Sequence, residues 1–154
     1  MLLGLLPLAA GTIRWNGEGV DQPTAFFVPP CGAYTLQEPR LFSESVRDNI
    51  LQGLAAEGET LQQALCDAVL EPDITRLEQQ LDILVDPRGV RLSGSQIQRV
   101  AAARMFIREP ELFVFDDLSS ALDGETEQLL WANLSAGGAD RPGCVASPGR
   151  TPTR

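Results

Sequence analysis

Histidine and lysine are absent from the 154 residues, so all 12 basic residues are arginine. Without histidine there is no imidazole general base and no histidine metal ligand. Without lysine there is no Schiff-base chemistry and no ammonium to hold a phosphate tail. Positive charge is scarce overall: 21 acids outweigh the arginines, the formal net charge is −9 and the pI is about 4.4. No nucleic-acid partner is expected, because such binding needs a basic footprint. The same acidity disfavours direct docking on anionic lipid. Cysteine is limited to Cys31, Cys66 and Cys144. Their spacing fits no zinc or redox motif, and they are expected to be buried free thiols in a reducing compartment. Long apolar runs are lacking too. The stretch Met1–Ala10 is shorter than the roughly 20 residues of a membrane span and has no basic n-region. It is expected to be the end of a core helix, and any membrane role must go through a partner.

What remains is ordinary globular composition, 44% hydrophobic and 21% charged. It suits one domain that buries roughly 70% of its unfolded surface. Gly11–Gly17 alternates and closes on Asn-Gly, which predicts a short strand entering a turn. Pro29 and Pro30 mark a loop, and Cys31–Gln37 reads as a strand closed by Glu38 and Pro39. From Ser43 the period becomes helical. Ser43 or Ser45 can cap a helix through Val46, Ile50 and Leu51 to Gly53. Thr60 can cap the next, with Leu61, Ala64, Leu65 and Ala68 on one face. A short helix fits Asp73–Leu81 and a longer one Ser93–Arg108. Leu112–Phe115 is a continuous apolar run that stops at Asp116 and Asp117, the pattern of a central parallel strand with acids at its carboxyl end. A helix over Gly124–Leu134 and a short strand over Gly143–Ala146 follow. The order predicts an α/β core with a helical insertion.

One cluster carries chemistry. Leu92, Ser93, Gly94, Ser95 and Gln96 open the long helix. A helix start has unpaired N–H groups and a positive dipole end, and a Ser-Gly segment lets backbone approach a phosphate. The plain alternative is a helix cap.

With Ile97–Arg104 this segment resembles the signature motif of ABC transporter nucleotide-binding domains, with Ser95 where that family has a second glycine. Leu112–Asp116 is similar to the family's Walker B strand and Ser119–Asp123 to its D-loop. Tyr34–Gln37, with the following Glu38–Ser43 and Val46–Ile50, resembles the Q-loop region of exporter-type members. The likeness covers about residues 1–134. It implies a P-loop NTPase-like α/β fold, divided as 1–40 core remnant and Q-loop, 41–108 helical subdomain, 109–146 Walker B and D-loop core, and 147–154 tail outside the pattern.

The resemblance also implies roles. Two such domains sandwich ATP, so Ser93, Gly94, Ser95 and Gln96 would touch ATP held by a second nucleotide-binding domain. Asp116 would hold Mg2+, and Gln37 would contact the metal or the attacking water. Asp117 stands at the catalytic-base position and Asp123 at the dimer seam. The other partner implied is a transporter's transmembrane domain, received beside Glu38–Phe42. The chain would then be cytoplasmic, peripheral to the inner face of the membrane.

Several departures bear on activity. The family's phosphate loop, with its lysine, is expected just before Met1, and Met1–Leu6 resembles the helix that follows it. Asp117 replaces a glutamate, shortening the reach by roughly 1.5 Å. Ser95 would be strained if its position needs positive φ. Pro148 follows Ser147 where a switch histidine is expected. Three expectations stand: an ATPase subunit driving export, a non-hydrolysing module lending its signature to a partner's ATP, or an inactive remnant. Alone, the chain is not expected to hydrolyse ATP.

Overall fold

The computed structural model describes residues 3–5, 7–85, 92–136 and 143–146, with backbone only at 119, 120, 136 and 143–146. The tail 147–154, with Ser147 and Pro148, and the side chain of Cys144 lie outside the described residues.

Strands β1 (Arg14–Trp15) and β2 (Glu18–Gly19) form an antiparallel hairpin in which Trp15 faces Glu18. Its turn is Asn16-Gly17, both at positive φ, 50° and 88°. That is the turn an Asn-Gly pair favours, because its twist matches the strands. A single helical turn, α1 (Pro23–Phe26), follows with proline in its first turn. Trp15, Phe26 and Phe27 meet edge to face, with ring centroids 5.1–6.4 Å apart.

The second sheet is parallel and has the order β3 (Gly32–Thr35), β4 (Leu112–Phe115), β5 (Gly143–Ala146). The apolar run Leu112–Phe115 is thus the central strand, as its composition predicts. Parallel neighbours need crossovers. Between β3 and β4 the chain makes α2 (Val46–Leu51), α3 (Glu59–Asp67), α4 (Glu71–Arg76) and α5 (Gly94–Phe106); α6 (Gly124–Ala136) leads to β5. Of the two serines, Ser45 caps α2 by accepting from the Asp48 N–H.

Some expectations are corrected. Leu3–Leu5 and Pro7–Ala10 form turns and bends, not a helix end. Gly4 stands at φ +74° and Pro7 supplies no N–H, both hostile to a helix. Helix α3 starts at Glu59 after Gly58, so Thr60 lies inside it. Helix α4 starts earlier than expected and stops at Arg76, because Pro72 fits a first turn and not an interior. Only a 3-10 turn follows at Gln80–Asp82. Cys66 is exposed and Cys31 half-buried, so neither is a buried thiol. Ser95 lies within α5, so the feared positive-φ strain does not arise.

The core lies between the parallel sheet and the helices. Val46, Ile50, Leu61, Leu65, Val100, Met105, Phe113 and Phe115 share it. Phe113 and Phe115 stack on one face of β4, Phe106 of α5 meets both edge-on, and Trp131 of α6 meets Phe115. The carboxyl end of α5 is therefore fixed against the central strand through Phe106.

Candidate functional site

Three of the expected residues converge at the carboxyl ends of β3 and β4. Ligands of open parallel sheets sit in the crevice beyond that edge. The Asp116 N–H donates to the Thr35 carbonyl at 3.2 Å, prolonging the ladder by one residue. The Tyr34 hydroxyl donates to Asp116 Oδ2 at 3.2 Å. Burial first, then the charge of Asp116 and this bond, push the Tyr34 phenol above its ordinary value, so it stays a donor. Asp117 turns sharply off the strand at φ +52°, a region non-glycine residues seldom enter. Its Oδ2 accepts from Gln37 Nε2 at 3.0 Å. Gln37 and Asp117 are thus brought together, with Asp116 beside them.

Ser93, Gly94, Ser95 and Gln96 sit together at the head of α5. Ser93 Oγ accepts from the Gln96 N–H at 3.2 Å, and Gln96 Oε1 accepts from the Ser93 N–H at 2.8 Å. This is a reciprocal capping box. The hydroxyls of Ser93 and Ser95 lie 3.0 Å apart. Among the described residues the N–H groups of Gly94 and Ser95 have no partner. A Cβ built on Gly94 would meet nothing within 4 Å. Nothing among the described residues therefore requires glycine there. The segment is thus a helix cap that leaves the Gly94 and Ser95 N–H groups unpaired among the described residues.

Gln96 has a further commitment. Its Nε2 donates to Asp73 Oδ1 at 2.9 Å. Asp73 Oδ2 pairs with Arg99 Nη1 at 2.6 Å, and the same nitrogen reaches the Val69 carbonyl at 2.7 Å. Both halves of the Gln96 amide are therefore engaged, and a side-chain contact to a phosphate would require releasing Asp73. Asp123 stands apart from both groups, at the head of α6. It takes the Thr126 N–H at 2.9 Å and the Thr126 hydroxyl at 2.8 Å. These bonds hold its carboxyl below the usual range.

Sequence reasoning passed over Gln98, Asp73 and Asn49. Gln98 Nε2 of α5 donates to the Gln37 carbonyl. Buried Asn49 takes the Phe42 N–H at 2.7 Å and returns a bond to the Phe42 carbonyl at 3.0 Å, closing the loop that follows Gln37. Gln98 precedes Ala102 by four and Met105 by seven, so its place on a buried stripe was readable.

A cavity of about 210 Å³ is lined by Phe27, Tyr34, Gln52, Arg104, Met105 and Arg108, among others. Arg104 lies over the exposed Phe42 ring, 5.8 Å from its centroid. Burial, then the nearby Arg108 guanidinium, lower its affinity for the proton.

This arrangement of loop, strand and helix has close counterparts. The family model for the ABC transporter matches residues 1–120. The chain belongs to the ABC transporter family. It is 35% identical over 134 residues to the probable multidrug resistance ABC transporter ATP-binding/permease protein YheI of Bacillus subtilis, covering 86% of this chain and 23% of that protein. To P-glycoprotein 14 of Caenorhabditis elegans it is 34% identical over 131 residues, 84% of this chain and 10% of that one. Among solved structures, a bacterial Atm1-family ABC exporter with ATP bound matches with a TM-score of 0.80 and 28% identity, covering 94% of this chain and 26% of the exporter. The chain thus spans about a quarter or less of these relatives. Its fold is the P-loop NTPase-like α/β fold of that family.

The residues present suit a magnesium nucleotide in part. Mg2+ is commonly held by one or two carboxylates together with substrate phosphates. Asp116 supplies such a carboxylate beside Asp117 and Gln37. Among the described residues no cluster of three or more histidine, cysteine, aspartate or glutamate side chains that could hold a metal ion occurs. None of their helices is long and apolar enough to cross a membrane.

Proposed function

We propose that this chain is the ATP-binding part of an ABC exporter and lends the head of α5 to ATP held by a second nucleotide-binding domain. One observation carries the reading: Gly94 and Ser95 present unpaired N–H groups at a helix start, flanked by two hydroxyls, where the chain itself leaves open space. Oriented backbone donors and the helix dipole are what an anionic phosphate tail needs. Ser93, Gly94 and Ser95 contact the tail in this reading, and Gln96 holds the cap in shape. On the chain's own side, Asp116 and Gln37 face Mg2+, Asp117 faces the attacking water and Asp123 lies at the seam between domains. When bound, the magnesium nucleotide supplies the charge and the phosphoryl chemistry. The chain's residues orient it and exclude competing partners. The transporter's membrane-spanning part docks beside Phe42 and the cavity of Arg104 and Arg108, which puts the chain at the cytoplasmic face.

The test is ATP-dependent pairing. The full chain is mixed with the purified ATP-binding portion of the Bacillus subtilis YheI relative and followed by analytical ultracentrifugation. A heavier species should appear with Mg-ATP and not with Mg-ADP. Gly94→Leu and Ser93→Arg should weaken pairing at least tenfold, because each puts bulk on the phosphate face. Gly94→Leu should leave the thermal midpoint nearly unchanged, since its side chain enters open space. No ATP-dependent species with the unaltered chain would sink the reading.

A further inference from the structure

Gln98 is 3% exposed, yet its carboxamide is only half satisfied. Its Nε2 donates to the Gln37 carbonyl, and its Oε1 has no hydrogen-bond partner among the described residues. Leaving a buried amide oxygen unpaired costs free energy that an apolar side chain of the same length would avoid. The rest of its stripe on α5 is apolar, Ala102 and Met105, so packing alone gives no reason for an amide there. Its one bond falls on the residue whose side chain grips Asp117. Gln37 is therefore held twice, by its main chain to α5 and by its side chain to the acid at the end of β4.

Ser93 and Gln98 belong to the same rigid helix, with a separation of roughly 7 Å along its axis. Any shift of the head of α5 carries the Gln98 donor with it. We infer that Gln98 is a positioning residue that couples the exposed head of α5 to the Gln37–Asp117 pair. What seats on Ser93, Gly94 and Ser95 is then felt at the chain's own acids. This inference rests on the pairing read above. With Oε1 unpaired among the described residues, the coupling needs a second arrangement in which a shifted helix brings that oxygen a donor and releases the Gln37 carbonyl. Coupling needs such a two-state element, and mere proximity does not supply one.

Hydrogen–deuterium exchange by mass spectrometry tests the link. It is measured on the full chain over residues 34–42, alone and paired with the YheI portion under Mg-ATP. In the unaltered chain, pairing should change exchange in this segment at least fivefold. Gln98→Met keeps the length and burial but removes the donor. It should pair within threefold of the unaltered chain and lose most of that exchange response. Gln98→Leu, which also stays buried and cannot donate, should behave like the methionine variant. The same response in Gln98→Met as in the unaltered chain would overturn the inference, since the segment would then be covered by the partner directly. Pairing and response falling in proportion would overturn it too, because Gln98 would then be merely structural. If the unaltered chain does not pair, the functional reading fails first and this coupling with it.

Discussion

Asp73 of α4 bonds two side chains of α5. Its two oxygens serve Gln96 and Arg99, so it fastens α4 to the first two turns of α5. The Arg99 guanidinium is largely buried, with a relative side-chain exposure of 10%. Removing one partner of a buried pair leaves an uncompensated charge, at a cost on the order of 3 kcal/mol. Asp73→Ala should therefore destabilise the chain by about that amount, read from urea unfolding midpoints. Adding Arg99→Met should recover about 1 to 2 kcal/mol, because the stranded charge is gone. Additive losses in the double variant would mean that the ion pair matters little. At this scale the sequence was legible only where a motif carried the residue. Gln37, Asp116 and Asp117 are singled out by their neighbours in the chain, and the structure brings Gln37 and Asp117 into hydrogen-bond contact. In the sequence Asp73 reads as a helix start, because its partner Arg99 lies 26 positions away and nothing local marks the pair. Val69, whose carbonyl also serves Arg99, stands at φ +53°, a strained choice for a branched residue that no local pattern announces.

Among the elements, α5 was read well and for identifiable reasons. Its apolar spacing and its Ser-x-x-Gln cap are both local signals, and the structure ends the helix two residues before the expected Arg108. Its cap should have a measurable strength. Ser93→Ala removes the hydroxyl that takes the Gln96 N–H and should cost about 1 kcal/mol. Ser95→Gly, which restores the family's usual residue, should make the fold slightly weaker, by about 0.5 kcal/mol, since glycine in a helix loses more chain entropy. Urea midpoints of the two variants check this. A stabilised Ser95→Gly would show that serine is strained there after all. Short elements fared worse. Helix α4 is six residues long and begins on Glu71-Pro72, so its boundaries depend on tertiary contacts that periodicity does not carry. Turn α1 is shorter still, four residues, and no periodicity in the sequence predicts it.

At the scale of the whole molecule, the central strand and its acids were legible because a strand buried on both faces has no polar positions to blur it. The N-terminal stretch was not, because an apolar run says nothing of Gly4 taking a left-handed turn. The whole molecule also decides how far the chain can hold ATP by itself. A triphosphate needs cationic or N–H donors on its β- and γ-phosphates. These 154 residues contain no lysine, and the acids at the sheet edge, Asp116 and Asp117, repel the phosphates unless Mg2+ lies between. The net charge of −9 adds a long-range penalty that grows as salt is lowered. The donors of α5 remain, but one helix start and one carboxylate supply little more than the 4 kcal/mol or so that corresponds to millimolar affinity. The chain alone should thus show no saturable Mg-ATP binding in the micromolar range when followed by its intrinsic Trp15 and Trp131 fluorescence. Adding the YheI portion should bring nucleotide binding into that range, because the pair then supplies both halves of the site. A saturable micromolar titration of the chain alone would show that a phosphate site exists within these residues and that the acids are not its obstacle.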